Sequence, residues 1–528
     1  MIPKRLPSGE HQIIFKPSVP VLVFALMLVV SLACVRQAVQ DGSLKEGHVT
    51  PVAGNNDRSS QTLPGTYMPW GEREIVYATV AVTGTPTPDA TRPAQARPVQ
   101  QIHLVKRGDT ISAIASVYQV SVEALQQANE LAPRDTISVG QNIIIPEYYL
   151  PVAPSHKIIP DSELVYSPGQ VGFNLGDSID KWGGYLSEFR ETDRFGTTRS
   201  GQEIIQWVSQ NYSVNPRLLL VMLEQRTGWV LGSLTGEVSE TYPFGYVHSG
   251  YKGLLRQLSW VANKLNAGFY GWRNESLRVI ELADGTQLGI APGLNAGTVA
   301  LQFYFSQAYA SEHWRSIVSP GGFDRLYSDM FGNAFGYAYE PLLPAYLEQP
   351  RLVWPWDRSE TWYFTGGPHG GWDSGSAWAA IDFAPISKGC QPAANWVRAA
   401  ADGTVVRSAE GAVVQEFDSD GQEQTGWTLL YMHIATSGRV ESGRVLKTGD
   451  IIGHPSCEGG FSNATHLHFA RRYNGVWIAA DDPGAPLDLD GWIVKSSSRE
   501  YDGWMVKDDV WLEAWDAPGD INAIRPSP

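Results

Sequence analysis

The chain has 528 residues, enough for about three or four domains of ordinary size, and carries a formal net charge of −15. An acidic surface without a basic stripe repels phosphate, so a nucleic-acid partner is excluded as the expectation.

At the N-terminus Lys4, Arg5 and Lys16 precede an apolar run over residues 19–33, which ends at Cys34. A charged region, a short hydrophobic core and a small residue before the cut predict an export segment over 1–34. The run is shorter than the roughly 20 apolar residues that span a bilayer. Ser31-Leu32-Ala33-Cys34 resembles a lipoprotein cleavage box, with Leu one place nearer the Cys than usual. Lipidation at Cys34, cleavage after Ala33 and retention as an uncleaved anchor all stay open. Any membrane contact is expected through this segment alone. Residues 35–100 are rich in Thr, Pro, Gly and Ala, which predicts an extended tether.

Over residues 101–147 the pattern is strand, helix, helix, strand. A strand is expected to end at Gly108, and Asp109 or Thr110 to cap a helix whose Ile111, Ile114 and Ala115 recur at helical spacing. Ser121 is placed to cap a second helix, and Ile143-Ile144-Ile145 returns as a strand. Val105 through Ile111, Val120-Ser121-Val122, Leu125, Asn129 and Val139-Gly140-Gln141 resemble a LysM module almost end to end. That resemblance implies binding of N-acetylglucosamine-containing glycans, peptidoglycan or chitin. It places the groove between Gly108, Asp109, Thr110 and Ile111 on one side and the loop from Asn129 on the other.

Residues 160–345 read as helical. Asn215-Pro216 supplies a cap and a first-turn proline, 218–223 are apolar, and Gly228 closes the helix. Glu224 sits in the last apolar turn, where low polarity and the helix dipole favour a protonated carboxyl, the form a glycosidic general acid needs. The segment vaguely resembles the lysozyme-like and lytic transglycosylase fold, although Gln225-Arg226 follow where that family has Ser. A helical spacer or wall-binding domain is the preferred reading, with Glu224 as general acid kept as the alternative.

From 346 to 528 short apolar runs alternate with Gly-rich and Asp-rich turns, which predicts an antiparallel sheet. In Ala464-Thr465-His466-Leu467-His468-Phe469, residues two apart on a strand share a face. His466 and His468 are therefore expected to point into a site, with Leu467 and Phe469 in the core. The alternation recurs around Asp382 and around His433. Two imidazoles and a carboxylate are a common ligand set for catalytic zinc, with the fourth position left to water.

With His369 upstream, these stretches resemble the zinc endopeptidases of the M23 family, which cut the peptides of bacterial cell walls. The matching residues are His369, Asp382-Phe383-Ala384-Pro385, the frame over 397–405, Tyr431-Met432-His433 and His466-Leu467-His468-Phe469. The resemblance implies one Zn2+ held by His369, Asp382 and His468, in a groove over a small antiparallel β domain. It makes His433 and His466 the pair that polarises water and stabilises the oxyanion. Most of that family has its Asp four residues after the first His, where Asp373 stands here. The Phe-Ala-Pro and the following frame accompany Asp382 instead, and the wider gap looks like the lysostaphin-related β-lytic and staphylolytic branch. Asp382 is preferred and Asp373 is the alternative.

Cys390 and Cys457 fall in the same region and could pair in an oxidising compartment, which would stabilise by roughly 4 kcal/mol on the chain-entropy model. Zinc ligation by them is disfavoured, because no C-x-x-C spacing is present. Trp396, Trp427 and Trp477 read as core or groove-wall residues, and 481–528 carry no functional signal.

The expectation is a multidomain α+β chain: LysM, a helical middle domain, and a C-terminal, mostly antiparallel peptidase domain. Its function is that of an exported peptidoglycan hydrolase, with glycan and wall peptide as partners. The alternatives are a non-catalytic wall-binding or amidase-activating scaffold, and a bifunctional enzyme with a glycan-cleaving middle domain. The bond cleaved, self or foreign wall, and oligomeric state are left open.

Overall fold

A computed structural model describes residues 101–526, apart from 119, 147–150, 194–195, 233–238 and 388. The expected export segment, Cys34 and the tether lie outside the described residues. Among the described residues no helix is long and apolar enough to cross a membrane.

The first unit pairs β1 (Gln101–Leu104) antiparallel with β2 (Asn142–Ile145), bracketing α1 (Ile111–Val117) and α2 (Val122–Ala128). Thr110 rather than Asp109 caps α1, its hydroxyl accepting from the Ala113 N–H, and Ser121 caps α2 in the same way. The first strand stops at Leu104 instead of reaching Gly108. The chain turns there, with Gly108 at a φ of 96° and the Asp109 N–H bonded back to the Lys106 carbonyl. Val105, Ile114, Ala115, Leu125, Ile143 and Ile145 form a small core of its own.

The middle region is helical: α3 (Leu175–Trp182), α4 (Gly201–Tyr212), α5 (Pro216–Thr227), α6 (Leu254–Arg273), α7 (Ala296–Ala308), α8 (Ser311–Val318) and α9 (Phe323–Phe331). Asn215 and Pro216 open α5 and Gly228, at a φ of 68°, closes it. The long α6 packs against α7 closely enough that a Cβ on Gly268 would lie 2.7 Å from the Ala300 Cα. Inside this bundle Glu163 is fully buried and accepts from Arg217 at 2.8 Å, Gln170 at 2.9 Å and Asn215 at 2.8 Å. Removing it leaves a buried guanidinium uncompensated, a loss of about 3–5 kcal/mol. Glu163→Ala is therefore expected to lower the unfolding free energy by that amount in a urea titration. An unchanged midpoint would show that the pair is dispensable.

The C-terminal region is built on β3 (Trp362–His369), β4 (Ala380–Ala384), β5 (Gly403–Ala409), β6 (Ala412–Glu416), β7 (Trp427–Met432) and β8 (Leu467–Tyr473). Across the sheet the order is Val445–Leu446, β5, β6, β7, β8, β4, β3, Ala523–Ile524, and the pairings are antiparallel. One face carries Ile381, Phe383, Leu429, Tyr431, Leu467 and Phe469 into a core with Trp354, Trp356 and Trp362. The opposite face carries Ala380, Ala412, Val414, Leu430, Met432 and Ala470, and these join the core of the helical region. Residues 488–513 add a four-stranded antiparallel sheet beside the first.

Candidate metal centre

The register places Met432, His468, Asp382 and Gly366 in one row across β7, β8, β4 and β3. Residues directly opposite on neighbouring strands share a face, so the His468 and Asp382 side chains emerge together. Gly366 makes room for the carboxylate: a Cβ there would stand 2.7 Å from Asp382 Oδ2. β3 shifts register on both sides of Gly366, and its last residue, His369, arrives beside the pair.

His369 Nδ1 lies 2.8 Å from the Gly367 carbonyl and His468 Nε2 lies 3.0 Å from the Gly371 carbonyl. A carbonyl only accepts, so each of those nitrogens carries hydrogen in the neutral imidazole. His369 Nε2 and His468 Nδ1 then turn their lone pairs toward each other across 3.0 Å. Asp382 Oδ1 sits 3.3 Å from both nitrogens, buried and with no hydrogen-bond partner. Burial alone would raise the Asp382 carboxyl, but His369 and His466 overcome it and hold the group well below its ordinary range. Burial pushes the His369 imidazole down, while Asp382 more than offsets that and leaves it raised; His468 is lowered, by burial first. Three converging donor atoms, one an orphaned carboxylate oxygen, fit a cation bound by two nitrogens and an oxygen.

Asp373 is elsewhere. It is exposed, at a φ of 61°, with Oδ2 accepting from the Tyr212 hydroxyl at 3.0 Å and Oδ1 from the Ser374 N–H at 2.7 Å. The cluster gathers Asp382, not Asp373.

His433 and His466 both lie just beyond strand ends rather than within strands, as the sequence pattern had them. β7 stops at Met432, and His433 adopts a φ of 66°, a left-handed conformation that a non-glycine residue holds only when its surroundings enforce it. That turn brings its ring 4.4 Å from His466 and 6.1 Å from His468. Its Nδ1 meets the Glu458 carbonyl at 3.0 Å, and the His466 Nδ1 meets the Ala464 carbonyl at 2.8 Å. Both rings therefore keep a lone pair on Nε2, and that of His466 stands 3.7 Å from Asp382 Oδ1. Burial, then His466 and His468, push the His433 imidazole down to about 3, so it stays neutral near neutral pH.

Cys390 and Cys457 are joined by a disulfide. The Ser456 N–H and hydroxyl both donate to the His433 carbonyl, while Thr465 donates to the Gly389 and Gln391 carbonyls. The bond thus ties together the two loops that hold His433 and His466.

Tyr501 is a neighbour that the sequence did not single out. Its ring stacks on His369 at 4.2 Å, and its backbone exchanges hydrogen bonds with Gly367 and Pro368. Only long-range pairing brings it there, so no local motif signals it.

In the first unit Gly108, Asp109, Thr110 and Ile111 form an accessible turn, with Asp109 accepting from the Lys106 N–H and paired with His103 at 2.8 Å. Asn129 is partly buried and its side chain is engaged within the module. Its amide donates to the Leu125 and Ile144 carbonyls and its oxygen accepts from the Ile144 N–H, a latch between α2 and β2 that uses both ends of the carboxamide. Glu224 accepts from the backbone N–H groups of Val230 and Leu231 at 2.9 and 3.0 Å, fastening the turn after α5.

An antiparallel sheet presenting two imidazoles and a carboxylate from adjoining strands has the architecture of a metallopeptidase domain. Residues 381–480 match Peptidase family M23, 103–146 match the LysM domain, and 157–341 match the LasA N-terminal domain, so the chain carries all three. It is 26% identical over 297 residues to Protease LasA of Pseudomonas aeruginosa, covering 53% of this chain and 68% of that protein. Over 46 residues it is 48% identical to the Cortical fragment-lytic enzyme of Bacillus subtilis, covering 9% of this chain and 11% of that one. Among solved structures, the M23 metalloprotease pseudoalterin from the deep sea matches with 22% identity and a TM-score of 0.27, over 32% of this chain and 96% of that one.

Proposed function

We propose that the chain is an exported peptidoglycan hydrolase, a zinc metalloendopeptidase held on its polymer by the LysM unit. The observation that carries this reading is the orphaned Asp382 Oδ1, facing the lone pairs of His369 Nε2 and His468 Nδ1. Two nitrogens and one oxygen suit Zn2+, and three protein ligands leave a fourth position open. Zinc held there supplies Lewis acidity and an acidified water.

The chain's own residues then do the following. Gly367 and Gly371 carbonyls fix the tautomers of His369 and His468, so their lone pairs stay aimed at the ion. His433, kept neutral by burial, and His466, each steadied through Nδ1, offer Nε2 to take a proton from the attacking water, and as N–H donors they stabilise the oxyanion of the peptide carbonyl. Tyr501 stacks on the His369 ring and limits how it can turn. The relative named as a protease supports peptide cleavage, and the LysM match supports a glycan-containing polymer as its setting. The scaffold reading leaves the convergence of five such residues without a purpose. With Glu224 engaged by two backbone N–H groups, the helical region is assigned a structural role.

Incubation with purified peptidoglycan is expected to release peptide fragments, identified by mass spectrometry, with new amino termini and intact glycan. Deleting 101–147 should weaken pull-down on the insoluble polymer while leaving cleavage of a soluble peptide unchanged. Release of glycan fragments alone would overturn the peptidase reading. Undiminished pull-down after the deletion would move wall recognition to the helical region.

A further inference from the structure

A second group of acids lies in the loop between β6 and β7, at the opposite end of β7 from His433. Glu416 is wholly buried, yet its Oε1 has no hydrogen-bond partner. One oxygen each from Glu416, Asp418 and Asp420 lies within 4.8 Å of the others. Oxygens about 2.4 Å from a common calcium ion can be separated by no more than about that distance. No ion pair to Lys, Arg or His reaches any of the three among the described residues. Glu423, in the same loop, is by contrast paired with Arg407 and Arg472, each at 3.1 Å.

We infer that this loop binds a calcium ion through Glu416, Asp418 and Asp420. Their spacing is that of calcium loops in which acidic ligands alternate along the chain and a glycine follows the third to turn it sharply. Gly421 occupies that place at a φ of 77°. Gly426 lets the chain pass under Asp418, because a Cβ there would stand 2.5 Å from Asp418 Oδ2. Glu416 Oε2 already accepts from the Ser419 N–H, and a divalent cation would give a partner to the buried Oε1 that lacks one.

The loop also connects the two large regions. Arg407, which Glu423 holds, donates to Asn211 at the end of α4, and Arg472 donates to the Gln210 carbonyl. Calcium would therefore stiffen a segment that joins the sheet to the helices.

Terbium, a hard trivalent probe for calcium sites, tests this on the full chain, with Trp427 next to the loop as sensitiser. Wild type is expected to give saturable luminescence at one ion per chain, displaced by calcium. The variant Asp418→Asn/Asp420→Asn, changed only at exposed positions, should bind about tenfold more weakly or not at all, since it loses two charges from the ligand set. Calcium should likewise raise the unfolding midpoint of wild type but not of that variant. His468→Ala should keep the terbium signal. Identical titrations of wild type and the double variant, or a signal lost in His468→Ala and kept in the double variant, would overturn the inference.

Discussion

Asp382→Ala is expected to abolish both metal uptake and peptide cleavage, whereas Asp373→Ala should leave both close to wild type. Removing a partner that merely orients a metal-binding His already lowers affinity or activity by about 10–100-fold, so deleting a direct ligand should exceed about 100-fold. Asp382 is the only carboxylate in the His369 and His468 cluster among the described residues, and its Oδ1 has no other occupation. Asp373 holds the Tyr212 hydroxyl instead, so its loss should cost stability of about 1 kcal/mol rather than chemistry. Elemental analysis beside a cleavage assay separates the two. The reverse outcome would assign the oxygen ligand to Asp373 and would require the loop over 370–376 to rearrange.

The second large effect is expected at the two outer histidines. His433→Ala and His466→Ala should each reduce turnover by about 100-fold or more, since proton transfer and oxyanion stabilisation each contribute on that scale. Zinc content should stay stoichiometric in both, because neither ring belongs to the three-residue cluster. His433 is held neutral by burial, with its imidazole pushed down to about 3, so mild acidification should not remove activity through this residue. Loss of zinc from His466→Ala with retention in His468→Ala would exchange the roles of the two, and the proposed mechanism would fail at its centre.

Much of this was legible in the sequence because it depended on local periodicity. Leu467 and Phe469 alternate into the core as read, while His468 and Asp382 face each other because both lie on strands with an apolar reverse face. Asn215, Pro216 and Gly228 marked the ends of α5 through caps that act within a few residues. What was hidden depended on contacts between distant segments. The left-handed turn at His433 is enforced by Ser456 and Glu458, and Tyr501 reaches His369 only through the pairing of the C-terminal strands. That Asn129 latches α2 to β2 was hidden as well, because its place in the motif does not show that its amide pairs with Ile144. Asp382 was preferred over Asp373 from the Phe-Ala-Pro and the frame that follow it, whereas the register that sets Asp382 opposite His468 is not readable from spacing.

The reverse of the central strands is covered: the row bearing His468 and Asp382 continues, two residues along each strand, into Ala470, Ala380 and Leu430 beneath the helices. That seam limits how far the peptidase is a portable module. A fragment trimmed to the family match at 381 would lack His369 altogether. One trimmed at 346 would keep every candidate ligand but lay bare the apolar strip over Ala380, Ala412, Val414, Leu430 and Ala470, a surface that invites self-association. Transplanting this domain therefore calls for carrying the helical region along.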